Sequence, residues 1–166
     1  MSEHRVASNL GLDAASPYRF AVVVSAFNAA ITTRLCEAAV ATLTQHGAVS
    51  DRIRVVRVPG AYELPMAAHR LAVAGKVDAV VCLGALVRGE TAHFDVLAHS
   101  IASAIQDAAR TTGIPISFGV ITCDSIEQAE TRAGGERGNR GAEAALAAIK
   151  MAILYAETPA VRPSPA

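Results

Sequence analysis

Tryptophan is absent from this 166-residue chain, and aromatic residues make up only 4% of it. A core of large interlocking rings is excluded, so the 52% hydrophobic content must pack as Ala, Val, Leu and Ile. Such an alanine-rich composition favours close helix packing. Lysine is almost missing: Lys76 lies in a glycine turn and Lys150 late in the last helical stretch. Neither position suits a Schiff-base amine, which needs a desolvated pocket. Formal charge sums to zero, which argues against nucleic acid or an anionic membrane as a partner, since both depend on a clustered positive field. Cys36, Cys82 and Cys123 have no metal-like spacing and read as reduced, buried thiols of a cytoplasmic protein. The longest apolar run, between Asp78 and Arg88, is about half the length of a membrane-spanning helix. The opening MSEHRVASNL lacks the apolar stretch of a signal peptide. A soluble protein is expected. Also missing are G-x-x-x-x-G-K-[ST], a G-x-S-x-G nucleophile elbow and any metal-ligand spacing, which argues against a P-loop, a serine nucleophile and a metal site.

What is present is an alternation. RFAVVVS (19–25) is a continuous apolar run of strand length, rich in β-branched residues. ITTRLCEAAVATLTQHG follows, with Ile31, Leu35, Ala39 and Leu43 at helical spacing and Gly47 as its stop. RIRVVRV (52–58), DAVVCLGALV (78–87) and PISFGVIT (115–122) repeat the strand pattern, each followed by a helical stretch. Asp124 and Ser125 are cap candidates for the helix after the last strand, with Glu127 and Gln128 placed for a capping box. A final helix is expected from about Asn139 to Ala156. Continuous apolar strands belong to a parallel sheet covered on both faces. The expected architecture is a three-layer α/β/α sandwich forming one domain over 18–157. An N-terminal arm (1–17) precedes it and a flexible proline-rich tail (158–166) follows. Ligands in such sheets bind at the carboxyl ends of the strands, where strand order reverses.

The unusual residues fall at those ends. After the first strand, Phe27 either caps the core or offers a flat face to a heterocycle. After the second, Pro59 and Gly60 turn the chain, and Ala61 and its neighbours offer backbone groups. Glu63 either complements the next helix dipole or accepts hydrogen bonds from a polyol or amine. LVRGETAHFD (86–95) follows the third strand and presents a cation, a glycine, a carboxylate, a hydroxyl and an imidazole together. Gly89 lets backbone N–H groups approach a ligand, and Thr91 adds a hydroxyl where a helix begins, an arrangement suited to an anion. His93 is the candidate for proton transfer, because imidazole titrates near neutrality. After the fourth strand, TRAGGERGNRG (131–141) combines four glycines with three arginines. It is either a solvated connector or a phosphate clamp.

The segments FN, VPGAYELP, LGALVRGETAHFD, FGVIT, EQAETRAGG and GNRGAEAA stand in the order and spacing of the 6,7-dimethyl-8-ribityllumazine synthases, and the chain resembles that family over about residues 18–155. The resemblance implies a flavodoxin-like, four-stranded parallel sheet in the order 2-1-3-4. It implies condensation of 5-amino-6-ribitylaminouracil with 3,4-dihydroxy-2-butanone 4-phosphate, with no metal or organic cofactor. Carried over by position, Phe27 would stack on the pyrimidine with Asn28 beside it, while Ala61 and Glu63 would hold the ribityl chain. Gly89, Glu90 and Thr91 would form the phosphate loop and His93 would move protons. Phe118, Arg132 and Arg140 would come from a neighbouring subunit of a homo-oligomer, a pentamer or a sixty-subunit shell, with Arg132 gripping the phosphate. Tyr62 departs from the family's usual phenylalanine, Arg140 from its lysine, and Ala92 from a second hydroxyl in some relatives. A lumazine- or flavin-binding module without turnover, and a structural shell protein, are the alternatives to an enzyme.

Overall fold

The computed structural model describes residues 10–158. Residues 1–9 of the expected arm and 159–166 of the expected tail lie outside the described residues. Four strands form one parallel sheet: β1 (Phe20–Ser25), β2 (Ile53–Val58), β3 (Ala79–Val87) and β4 (Ile116–Cys123). Their order is β2-β1-β3-β4. The helices are α1 (Ala29–Gln45), α2 (Leu64–Val73), α3 (His93–Thr112), α4 (Ile126–Arg132) and α5 (Arg140–Glu157). This is the expected three-layer, flavodoxin-like α/β arrangement.

The side-chain alternation of the two central strands divides the core in two. Phe20, Val22 and Val24 of β1, with Val81, Leu83 and Ala85 of β3, pack under α1 and α5. Ala21 and Val23, with Val80 and Cys82, point the other way, into a second cluster with Leu64, Ala68, Ile101 and Ile105 of α2 and α3. Both faces of β1 and β3 are therefore dry, which explains why their sequences read as unbroken apolar runs rather than alternating ones. Strand β2 lies at an edge, and Arg54, Val55 and Arg57 on it are exposed.

Small residues let the α1 and α5 backbones approach closely. A Cβ added at Gly141 would run into the Leu35 carbonyl of α1, which is backbone and cannot swing aside. Gly141→Ala should therefore lower the free energy of unfolding by about 1–3 kcal/mol, the usual range for overpacking; urea denaturation measures it, and an unchanged midpoint would show that the helices can part without cost.

Two local expectations are refined. At α4 the Ser125 hydroxyl accepts from the Gln128 amide, as a cap should. The Gln128 side-chain oxygen in turn accepts from the Asp124 N–H, one residue early, so the box is lengthened rather than closed on Ser125. The glycine-rich stretch after α4 is an antiparallel ribbon, β5 (Ala133–Gly135) with β6 (Gly138–Asn139). Gly134 and Gly138 carry the positive φ angles its tight return requires. Residues 10–17 form turns against the domain: Ala15 is buried, its N–H donates to the His46 carbonyl, and the Arg52 guanidinium donates to the Ser16 and Pro17 carbonyls. Among the described residues no helix is long and apolar enough to cross a membrane.

Candidate functional site

Because β1 and β3 are neighbours, the loops that follow them emerge side by side at the carboxyl edge of the sheet. A cavity of about 390 Å³ opens there, lined by Phe27 and Asn28 from the first loop and by Gly89, Thr91 and His93 from the other. Ala61 and Tyr62, from the turn after β2, complete one side. Residues more than sixty positions apart in sequence thus share one pocket.

Asn28 explains how Phe27 is presented. It sits in the left-handed region at φ 56°, a conformation asparagine tolerates better than most residues. Its side-chain amide donates to the Ala85 carbonyl of β3 at 2.9 Å, fastening the loop across the switch point. Phe27 is left 68% exposed. A ring so exposed is not a lid on the core. It has the exposure of a stacking surface.

His93 stands at the start of α3 and is exposed. Its backbone N–H donates to the Thr91 hydroxyl at 3.4 Å. Gly89 has open space where a Cβ would be, so a ligand can come close to the backbone there. The amino end of this twenty-residue helix adds its partial positive charge to the same corner. Glu90 is exposed and lines neither this cavity nor the one described below. Glu63 is held back as well: its carboxylate accepts from the Gly60 N–H at 2.8 Å and closes the turn after β2. It faces a neighbouring cavity with Pro65, Met66 and Ser100.

The cation in this stretch has an assignment of its own. Arg88 donates to both carboxylate oxygens of Asp95 in α3, at 2.9 and 3.1 Å, and through Nε to Asp124 after β4 at 2.9 Å. Its guanidinium also lies 4.3 Å from the centre of the Phe94 ring. The hydrogen bonds from Arg88 hold the Asp95 carboxyl below the usual carboxylate range. That depression makes the pair persist through the ordinary carboxylate titration range, to be lost only as acidification passes below it. Sequence reading missed both partners, although Asp95 follows Arg88 by only seven residues.

Phe118, Arg132 and Arg140 lie elsewhere, around a second cavity of about 650 Å³ between β4, α4 and the start of α5. Arg132 donates to the Arg137 carbonyl at 3.1 Å. Glu143 accepts from Arg140 at 2.8 Å and faces Arg132 at 3.8 Å. Glu143 was not among the expected site residues; the signal for it was its i,i+3 spacing from Arg140 at a helix start. Of the expected residues, Phe27, Asn28, Ala61, Gly89, Thr91 and His93 thus share one cavity and Phe118, Arg132 and Arg140 another, while Glu63 and Glu90 line neither.

No thiol competes as a nucleophile. All three cysteines are free and buried; burial pushes Cys82 up to about 12 and raises Cys36 and Cys123 as well.

Proteins of known name match this sequence. Residues 17–156 match the family model described as 6,7-dimethyl-8-ribityllumazine synthase. The chain is 49% identical over 141 residues to the chloroplastic 6,7-dimethyl-8-ribityllumazine synthase of Spinacia oleracea, covering 85% of this chain and 63% of that protein. It is 48% identical over 145 residues to the 6,7-dimethyl-8-ribityllumazine synthase of Chlorobium luteolum, covering 87% and 94%. The chain thus spans less than two thirds of the spinach protein and nearly all of the bacterial one.

Proposed function

The chain belongs to the 6,7-dimethyl-8-ribityllumazine synthase family, and on that premise we propose that it is a transferase of riboflavin biosynthesis. It condenses 5-amino-6-ribitylaminouracil with 3,4-dihydroxy-2-butanone 4-phosphate to give the lumazine, phosphate and water. The observation that carries this reading is the meeting of Phe27 and His93 in one cavity beside Gly89 and Thr91. An aromatic face, a proton carrier and an anion-binding corner are what the two reactants need, and one cavity brings them together.

The primary amine of the pyrimidine attacks the ketone carbon, and the carbinolamine loses water to form an imine. Elimination expels phosphate, and attack by the ribityl-bearing nitrogen closes the ring with loss of a second water. Every stage moves protons between nitrogen, carbon and oxygen, a task for His93. Phe27 stacks on the pyrimidine with Asn28 beside it, and the turn carrying Ala61 and Glu63 holds the ribityl chain. The loop Gly89–Glu90–Thr91 binds the phosphate, Glu90 through its backbone only, since its side chain lines neither cavity. Alignment of two reactants can by itself contribute on the order of 7–11 kcal/mol, so a rigid pocket without a covalent nucleophile suffices.

Neither cavity of a single chain holds every group, so the working unit is a homo-oligomer, with a pentamer as the basic assembly. In it Phe118, Arg132 and Arg140 of a neighbouring subunit close over the Phe27 cavity, and Arg132 supplies the cation that Arg88 cannot. Met66 on α2 and Val96 on α3 are large apolar side chains left exposed, the kind of surface such an assembly covers. The unpaired thiols suit a reducing compartment, and the cytoplasm is the compartment proposed. Mixing the purified protein with both substrates should give a lumazine absorbance that neither substrate gives alone. No product at any substrate concentration would leave a binding module or a shell protein.

A further inference from the structure

We propose that Arg88 is a positioning residue whose three-way clamp sets the loop Gly89–Thr91 and the start of α3 for binding the phosphate ester, without touching substrate itself. This rests on the reading of the pocket given above. Residues 88–92 are all exposed and contain no regular structure. Among the described residues, the Thr91 hydroxyl reaches only the His93 N–H, and the side-chain bonds that tie this stretch to anything beyond the adjoining His93 are those of Arg88. Its backbone N–H adds a fourth bond, donated to the Cys123 carbonyl at the end of β4 at 2.9 Å.

The partners make the clamp directional. Asp95 lies in the first turn of the helix that begins with His93, so the bidentate pair fixes that helix end against the loop. Asp124 lies at the β4–α4 junction, and α4 ends at Arg132. One guanidinium therefore joins the corner that carries His93 to the base of α4, whose own Arg132 is offered to a neighbouring subunit's pocket. The same bonds occupy two carboxylates that stand near where a phosphate dianion must come. Arginine's planar fork can serve both carboxylates at once; a lysine ammonium is a point charge and cannot reproduce the three fixed bonds.

A position effect and a charge effect predict opposite results at Asp124. Removing its charge makes the corner less negative, so a purely electrostatic role would tighten phosphate-substrate binding. Loss of a brace loosens it. Steady-state kinetics on the assembled protein, with each substrate varied in turn, separates them. Arg88→Gln should raise KM for the phosphate ester about ten-fold or more, since a displacement of order 1 Å in such a site can cost up to about a hundred-fold. KM for the pyrimidine amine should stay nearly constant. Asp124→Ala should raise the phosphate-ester KM roughly three-fold, as for an exposed ion pair, and Asp124→Asn, which keeps an oxygen acceptor for Nε, should restore most of the loss. Unchanged phosphate-ester KM in Arg88→Gln overturns the clamp while leaving the proposed reaction intact. So does a lowered KM in both Asp124 variants, or a rise in both substrates' KM that tracks a fall in Tm. A wild-type protein without product overturns the reaction and the clamp together.

Discussion

Replacing Arg132 with alanine should lower kcat/KM for the phosphate-bearing substrate on the order of a hundred-fold, the usual cost of removing one partner from a charge-assisted hydrogen bond to an anion. The geometry singles out Arg132 rather than Arg140 for this loss. Glu143 takes a short bond from Arg140 at 2.8 Å, while its distance to Arg132 is 3.8 Å, too long for a hydrogen bond. Arg140 is hydrogen-bonded to Glu143, whereas Arg132 makes only the longer ion pair with it and keeps more of its hydrogen-bonding capacity for a ligand. Arg132 also lines the open cavity beside Phe118. Its lost packing is small, because it lies at the end of a short helix and one of its nitrogens merely caps the Arg137 carbonyl. Thermal stability should therefore hardly move. Arg132→Lys should recover only part of the activity, since an ammonium lacks the fork that engages two phosphate oxygens. Initial rates over a range of phosphate-ester concentrations measure the effect, and identical kinetics would remove Arg132 from the site.

His93→Ala should slow kcat about ten-fold, at or below the low end of what a positioned acid–base group contributes, with both KM values nearly unchanged. The loss is limited because the condensation itself releases water beside His93, and that water can carry protons in place of the imidazole. Solvent cannot replace a bound cation in the same way, which is why the arginine variant should be the more damaged of the two. Added imidazole should restore part of the rate in His93→Ala, a response that a histidine serving only to cap a helix would not give. An unchanged kcat would transfer the proton steps to water altogether. Asp95→Asn at the neighbouring position offers a control, because it disturbs the Arg88 clamp and leaves the imidazole in place.

Much of this was legible before any coordinates. The unbroken apolar runs of β1 and β3 announced central strands, because a strand dry on both faces has no reason to alternate. The start of α3 at His93 could be read from the polar break followed by Phe94, Leu97, Ile101 and Ile105 on one face. Other features were hidden. Strand β2 breaks its apolar run at Arg54 and Arg57, but nothing in so short a run marked Val55 as exposed too; its place at the sheet edge decided that. The β5–β6 ribbon looked like a connector, since glycine supplies the turn but not the pairing. Glu63 read either as a partner of the helix dipole or as an acceptor for a polyol or amine, and neither reading anticipated its bond from the Gly60 N–H. Arg88 read as a cation available to a ligand until Asp95 and Asp124 were found occupying it.

Composition and hydrophobic period determined the layers, the parallel sheet and the strand ends at which chemistry would collect, because burial of an apolar face is a local demand that each segment states in its own residues. Only the tertiary structure decided which of the charged groups are already paired, and that the expected site residues do not share one cavity. Pairing depends on distances between segments that are far apart in the chain, and a one-dimensional pattern carries no record of them.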